Sequence, residues 1–288
     1  MYPKTLPTNP GKNYWHNTDS FRNHPGHLTK SFLHQNYQIG MHAHEFFEVN
    51  IVLSGTGCHY IEGTSMPIGA GNVFVIPPNV LHGYYCHEKL DVFHILVHPD
   101  FVRRYHEELT GLPGYSLLFE IEPYLRQVYP KRFFLQLGYD EMTALQPEVQ
   151  LLHRFNIEEQ YIAQNIGVLN LLSRFCLRLY NAQTPADPDW ETADSDILRV
   201  LEYIHSNLDT KISVGILLSI ARMSNSTFNR HFRKMVHQSP ADYILHCRIK
   251  KAHTMMEEAN YNRTEIAQAC GFYDISHMNK YVNRRAAK

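Results

Sequence analysis

Cysteine is sparse and unpaired in this chain. Cys58, Cys86, Cys176, Cys247 and Cys270 are an odd number, widely scattered and without a CxxC pair. Neither a disulfide framework nor a structural zinc knuckle is indicated, and reduced thiols are expected. Long apolar runs are missing too. The opening MYPKTLPTNPGKNYW holds no apolar stretch before Trp15 that could act as a signal peptide. No later segment reaches the ~18 consecutive apolar residues of a membrane span, so no membrane partner is expected and the cytoplasm is the expected location. Nucleophile elbows, phosphate loops and catalytic triads are likewise not found, which removes the enzyme classes that depend on them.

What is present is an ordinary globular composition of 288 residues, 44% hydrophobic. At roughly 100 to 200 residues per domain, that length suggests two domains. The net charge of -1 hides an asymmetry. From Ile197 onward 14 Lys and Arg stand against 7 Asp and Glu, leaving 13 against 21 before it. A basic C-terminal half suits a polyanionic partner, although a solvated, charge-laced helical face gives the same count.

Between residues 30 and 98, the segments FFEVNIVLSG, GCHYIEG, GNVFVIPP, LHGYYC and LDVFHILVH are rich in Val, Ile, Phe and Tyr and are separated by Gly and Pro turns. Short, evenly spaced strands of this kind predict a sandwich or small barrel. From Asp140 to Tyr180 the spacing becomes helical, with Ile162, Ile166, Leu169, Leu172, Phe175 and Leu179 forming an apolar stripe. The stripe either packs on the barrel or forms in part a dimer seam. Residues 181–196, NAQTPADPDWETADSD, replace apolar periodicity with Pro and Asp and read as a linker. The rest reads as helical. The expected architecture is α+β with two domains: a small β-barrel with flanking helices over residues 1–180, and an all-α half over 197–288.

The helical half contains an internal repeat. Ser226-Thr227-Phe228-Asn229-Arg230-His231-Phe232-Arg233-Lys234 and Ser276-His277-Met278-Asn279-Lys280-Tyr281-Val282-Asn283-Arg284 share the order Ser, any, apolar, Asn, basic, any, apolar, polar, basic. On a helix the apolar positions face inward, while Ser, Asn and the basic residue share the exposed side. Ser224 and Asp274 are candidate helix caps, and Gly271 a candidate turn. Asn bonds adenine bidentately and Arg bonds guanine, so paired helices that expose them suit major-groove reading of double-stranded DNA. Ser239-Pro240 opens a long helix between the two stretches, which would fix their separation.

The run from Ile220 to Tyr281 closely resembles the DNA-binding domain of the AraC/XylS family, including the Ser-Pro-x-x-Tyr-Ile-x-x-x-Arg-Ile-x-x-Ala stretch from Ser239 and the Ile-Ala-x-x-x-Gly-Phe turn from Ile266. The resemblance covers about the last third of the chain. It implies a transcription factor, usually an activator, with two helix-turn-helix units, and RNA polymerase and a second copy of the chain as further partners. Carried over position by position, the base-reading candidates are Ser226, Asn229 and Arg230 in the first unit and Ser276, Asn279 and Lys280 in the second. Arg233, Lys234 and Arg284 are expected to meet phosphates. Family members normally continue with a further helix beneath the second recognition helix, where this sequence runs into Ala286-Ala287-Lys288. The first unit is therefore expected to be the better folded.

In the N-terminal half, His42-x-His44-x-x-x-Glu48 with Gly55, then Gly71-x-x-x-x-x-Pro77-x-Asn79-x-x-His82, reproduces the two-part cupin signature, with Asn79 where Gly is usual. Strand alternation sends His42, His44 and Glu48 to one side, and His82 is expected to join them. Three imidazoles and a carboxylate suit Zn, Fe, Mn, Ni or Cu. The same residues also suit a sugar pocket without metal, or buried structural histidines, and the three readings stand side by side. Tyr60, Tyr84, Tyr85 and Phe93 are either sugar-stacking groups or core. Leu109 to Leu137 resembles a stretch of rhamnose-type sugar regulators, which implies a small-molecule effector of the monosaccharide class. The leading expectation is a ligand-responsive regulator; the alternatives are a metal-dependent cupin enzyme and a metal sensor, both centred on His42, His44, Glu48 and His82.

Overall fold

The computed structural model describes residues 6–7, 13–61, 63–128, 135–181, 192–257 and 261–282. The chain divides into two compact units, Met1–Asn181 and Ala182–Lys288.

The first unit is built on one curled sheet. Its strands are β1 (Tyr14–Trp15), β2 (Thr29–His34), β3 (Ile39–His44), β4 (Phe47–Ile61), β5 (Thr64–Gly69), β6 (Asn72–Ile76), β7 (His82–Val97) and β8 (Leu135–Gln136). The path runs β1-β3-β7-β4-β6-β8, with β2 also pairing β7 and β5 also pairing β4. This is a β half-barrel wound around two long antiparallel strands. The expectation of evenly short strands is corrected here. FFEVNIVLSG and GCHYIEG fuse into the 15-residue β4, and LHGYYC and LDVFHILVH into the 16-residue β7. The Gly55–Gly57 region, read as a turn, is instead a register shift in the β4–β7 ladder. Gly55 has φ 81°, and a Cβ there would collide with the Lys89 carbonyl, so the bend requires glycine.

Short helices α1 (Asn17–Ser20), α2 (Pro99–Arg104) and α3 (His106–Thr110) flank the sheet. A π-helical turn at Leu117–Ile121 runs into α4 (Glu122–Val128), which packs on β6. Two long helices follow, α5 (Tyr139–Ile157) and α6 (Tyr161–Asn181). The apolar stripe expected on this segment is split. Leu172, Phe175 and Leu179 are buried, whereas Ile162 and Ile166 are exposed. Polar bonds dock the start of α6 instead: Gln164 Nε2 donates to Ser31 Oγ (2.8 Å) and Thr29 Oγ1 donates to Asn165 Oδ1 (2.8 Å), all buried.

The second unit is helical throughout its described residues: α7 (Thr192–Ser206), α8 (Val214–Ala221), α9 (Asn225–Val236), α10 (Pro240–Glu257), α11 (Arg263–Ala269) and α12 (Ile275–Val282). α7 begins at Thr192, inside the stretch read as linker; residues 182–191 of that stretch lie outside the described residues. Phe228, Phe232 and Tyr243 are fully or almost fully buried. Ile249, Ala252, Ile266, Ala267, Phe272, Met278 and Val282 form a second apolar cluster around α10, α11 and α12. Among the described residues, no helix is long and apolar enough to cross a membrane.

Candidate functional site

The half-barrel gathers His42, His44, Glu48 and His82 in its interior, all buried. His42 and His82 face each other across the β3–β7 ladder, ring centroids 4.2 Å apart. Asn79, which opens the turn before His82, has φ 64°, a left-handed geometry that Asn tolerates. Its backbone N–H donates to the His44 carbonyl (2.7 Å), tying that turn to β3.

Each of the three imidazoles is oriented in the same way. Nδ1 donates to a backbone carbonyl two residues away: His42 to Gly40 (2.9 Å), His44 to Phe46 (2.7 Å) and His82 to Val80 (2.9 Å). With the proton committed there, the rings of His42 and His82, which burial holds below the ordinary imidazole value, present Nε2 lone pairs to the interior. His44 Nε2 lies 3.3 Å from Glu48 Oε2 without hydrogen-bond alignment. Ligating atoms of His42, Glu48 and His82 all lie within 4.8 Å of one another. His44 stands outside that triad, beside Glu48.

Two further interior histidines, His94 and His59, escaped the sequence reading. His94 Nδ1 bonds Glu48 Oε1 (3.1 Å), and Tyr84 donates to the same oxygen (3.4 Å). His59 stacks on Tyr84. Two-residue alternation along β7 from His82 reaches Tyr84 and His94, so that signal was available; His59 was hidden because the register shift in β4 changes which parity faces inward. Of the four aromatic residues considered, Tyr84 lines the interior. Tyr60 and Tyr85 pack with Met41 and Cys58 instead, and Phe93 sits at the opposite parity of β7.

Burial by itself would raise the Glu48 carboxyl, but His44 and His94 hold it well below the usual carboxylate range. Burial pushes His82 and His59 well below the ordinary imidazole value. Burial and the Glu48 charge raise the Tyr84 hydroxyl. The interior is therefore one carboxylate in a shell of polar rings. Many of their atoms have no partner among the described residues: His44 Nε2, Asn50 Oδ1, both nitrogens of His59, His82 Nε2 and His94 Nε2. Such groups are rare in a protein interior unless something else satisfies them.

The second unit carries the repeat on α9 and α12, at matched burial. Ser226 and Ser276 are exposed, Phe228 and Met278 buried, Asn229 and Asn279 half-buried, Arg230 and Lys280 exposed, and Phe232 and Val282 buried. Ser224 caps α9 by accepting from Thr227 N, and Asp274 Oδ1 accepts from His277 N (2.7 Å) at the start of α12. Asn229 Nδ2 bonds back to the Asn225 carbonyl (2.9 Å), and Asn279 Oδ1 accepts from Arg263 Nη1 (3.1 Å). Arg233 and Lys234 are exposed at the end of α9; Arg284 lies outside the described residues. α8–α9 and α11–α12 are the two helix-turn-helix pairs, with Arg222 (φ 53°) and Gly271 (φ 68°) in the left-handed region of their turns.

The AraC-like ligand binding domain model matches residues 24–189. The chain belongs to the AraC family of transcription regulators. A helix-turn-helix domain model matches residues 217–287 of this AraC-family chain. The activator RhaR of Mannheimia succiniciproducens is 23% identical over 261 residues, covering 89% of this chain and 87% of that protein. RhaS of Escherichia fergusonii is 24% identical over 246 residues, covering 84% and 83%. Among solved structures, the DNA-binding domain of AdpA in complex with a target DNA is 26% identical over 31% of this chain and 81% of that one, at a TM-score of 0.30. The AraC-family chain is thus a ligand-binding, DNA-binding regulator, and the family is one of regulators rather than of enzymes, which sets aside the cupin-enzyme alternative.

Proposed function

We propose that this regulator binds a sugar inside the half-barrel and that occupancy changes the affinity of its two helix-turn-helix units for an operator. The concentration of unpartnered buried nitrogen and oxygen atoms around Glu48 carries the reading, because sugar hydroxyls both donate and accept and so can satisfy imidazole lone pairs and a carboxylate together. The sugar class is supported by the Leu109–Leu137 stretch and by the names RhaR and RhaS of relatives that span most of the chain. Ser226, Asn229 and Arg230, and Ser276, Asn279 and Lys280, are the base readers; Arg233, Lys234 and Arg284 meet phosphates. Activation through RNA polymerase follows the activator names of the same relatives. A homodimer is supported by the exposed Ile162, Ile166, Leu177 and Tyr180, which share one side of α6.

The test is a titration of the full chain against labelled DNA from upstream of its own gene and against a scrambled duplex at ~0.15 M salt, with and without L-rhamnose. The expected result is a ~10³-fold preference for the upstream DNA, lost in Asn229→Ala, and a shift of about five- to 150-fold on adding sugar. Equal, weak binding of both duplexes would overturn the regulator reading.

A second reading concerns a divalent transition metal at His42, Glu48 and His82. What favours it is the imidazole orientation. The Nδ1 protons of His42 and His82 are committed to carbonyls, so both rings turn Nε2 lone pairs towards the space beside the Glu48 carboxylate, a donor set that suits a cation. Ligands ~2.1 Å from a common ion lie closer together than the 4.8 Å span found here, so binding would draw the triad inward. When bound, the ion would act as a Lewis acid for sugar hydroxyls. Metal analysis after dialysis against Zn²⁺, Mn²⁺ or Ni²⁺ should find about one equivalent in the wild type and little in His82→Ala; equal contents would end this reading.

A further inference from the structure

The sugar reading leaves one end of the same interior unexplained. Arg126 on α4 is fully buried, its guanidinium 4.9 Å from the centroid of the Phe74 ring. Nη2 donates to the Val75 carbonyl and to Glu122 Oε2 (3.0 Å), and Nε lies 3.0 Å from Glu122 Oε1. Nη1 has no partner. On Phe74 also lies His59, ring centroids 5.0 Å apart, and neither of its nitrogens has a partner among the described residues. Asn50, paired with Phe74 in the β4–β6 register, leaves Oδ1 unpartnered.

A buried guanidinium with an unused N–H is costly, and Glu122 compensates it incompletely. Burial pushes the Glu122 carboxyl up, against the pull of Arg126, so the pair is held at a cost in desolvation. Water could satisfy Nη1 but would bring no charge to the open side of the guanidinium. A carboxylate satisfies both the charge and the spare donor, and Arg binds carboxylates with directional N–H bonds. His59, one donor and one acceptor, can bond the same group or a hydroxyl beside it.

We propose that the effector is an acidic sugar, of the uronate or aldonate class, whose carboxylate engages Arg126 and His59 while its hydroxyls meet Glu48, His42 and His82. This rests on the sugar reading above and adds the charged end. Thermal unfolding and calorimetric titration of the full chain, at matched ionic strength, would compare D-galacturonate, D-glucuronate and D-gluconate with D-galactose, D-glucose and L-rhamnose. At least one acid should bind about tenfold or more tightly than its neutral counterpart. Arg126→Met should erase that preference. Because this variant can also fail to fold, Glu122→Gln is the companion: it removes the competing carboxylate, so acid binding should hold or tighten. A neutral sugar binding as tightly as its acid, or loss of acid binding in Glu122→Gln, overturns the acidic-sugar inference and leaves the sugar reading standing. If none of the six binds, both fall.

Discussion

The two units treat buried polarity in opposite ways. Apart from His231 Nδ1, every unpartnered buried side-chain atom among the described residues belongs to the first unit, and most of these line the half-barrel interior. The second unit buries an apolar core and sends its chemistry outward, on Arg230, Arg233, Lys234 and Lys280. An interior that tolerates unmet hydrogen bonds is prepared for a small molecule that meets them. A satisfied core with a basic face is prepared for a surface as large as a DNA groove.

That contrast can be broken most forcefully at the second core. Phe232→Ala removes a fully buried ring, so the unit should lose ~3–5 kcal/mol while the first unit keeps its unfolding temperature. Calorimetry resolving two transitions checks it; an equal fall in both would show that the units do not fold separately. Next in size are Arg230→Ala and Lys280→Ala. Each should lower operator affinity by ~1–3 kcal/mol without moving the first transition, as read by anisotropy and calorimetry together. If the variants bind as the wild type does, the outward-reading half of the comparison fails.

Acid should separate the units as well. Burial pushes His27 down to about 4, the charges of Lys30 and Arg22 adding to it. The unfolded chain, with its imidazole near 6.5, therefore takes up this proton first. The contribution of the buried neutral His27 to the first unit is full above pH ~6.5 and is lost as pH falls towards 4. Urea midpoints at pH 7 and pH 5 should fall for the first unit; an unchanged midpoint would contradict the burial argument. The smallest effect is local: Ser224→Ala removes the α9 cap at a cost of about 1 kcal/mol, measurable by urea unfolding and confined to the second unit.

The second half was the more legible in the sequence. Its repeat of Ser, apolar, Asn and basic residues reappears at identical burial on α9 and α12, because helical spacing alone decides which positions face inward. The Ser224 and Asp274 caps were readable for the same reason: a cap acts within three residues of itself. In the first half the His42, His44, Glu48 and His82 cluster was legible as a motif, and strand alternation put it inside. His59, His94 and Arg126 were not.

What the sequence by itself determined is therefore local: the strand-rich and helical halves, the repeated recognition helices, and the imidazoles and carboxylate that share one strand face. Only the tertiary structure decided which distant residues complete the interior. The register shift at Val52–Ser54 turns His59 inward, the length of β7 carries His94 back to Glu48, and α4 lays Arg126 across Phe74. Each contact depends on pairing across tens of residues; alternation along β7 gives the side on which His94 lies but not its partner. The same long-range packing split the α6 stripe, burying Phe175 and Leu179 and leaving Ile162 and Ile166 to solvent.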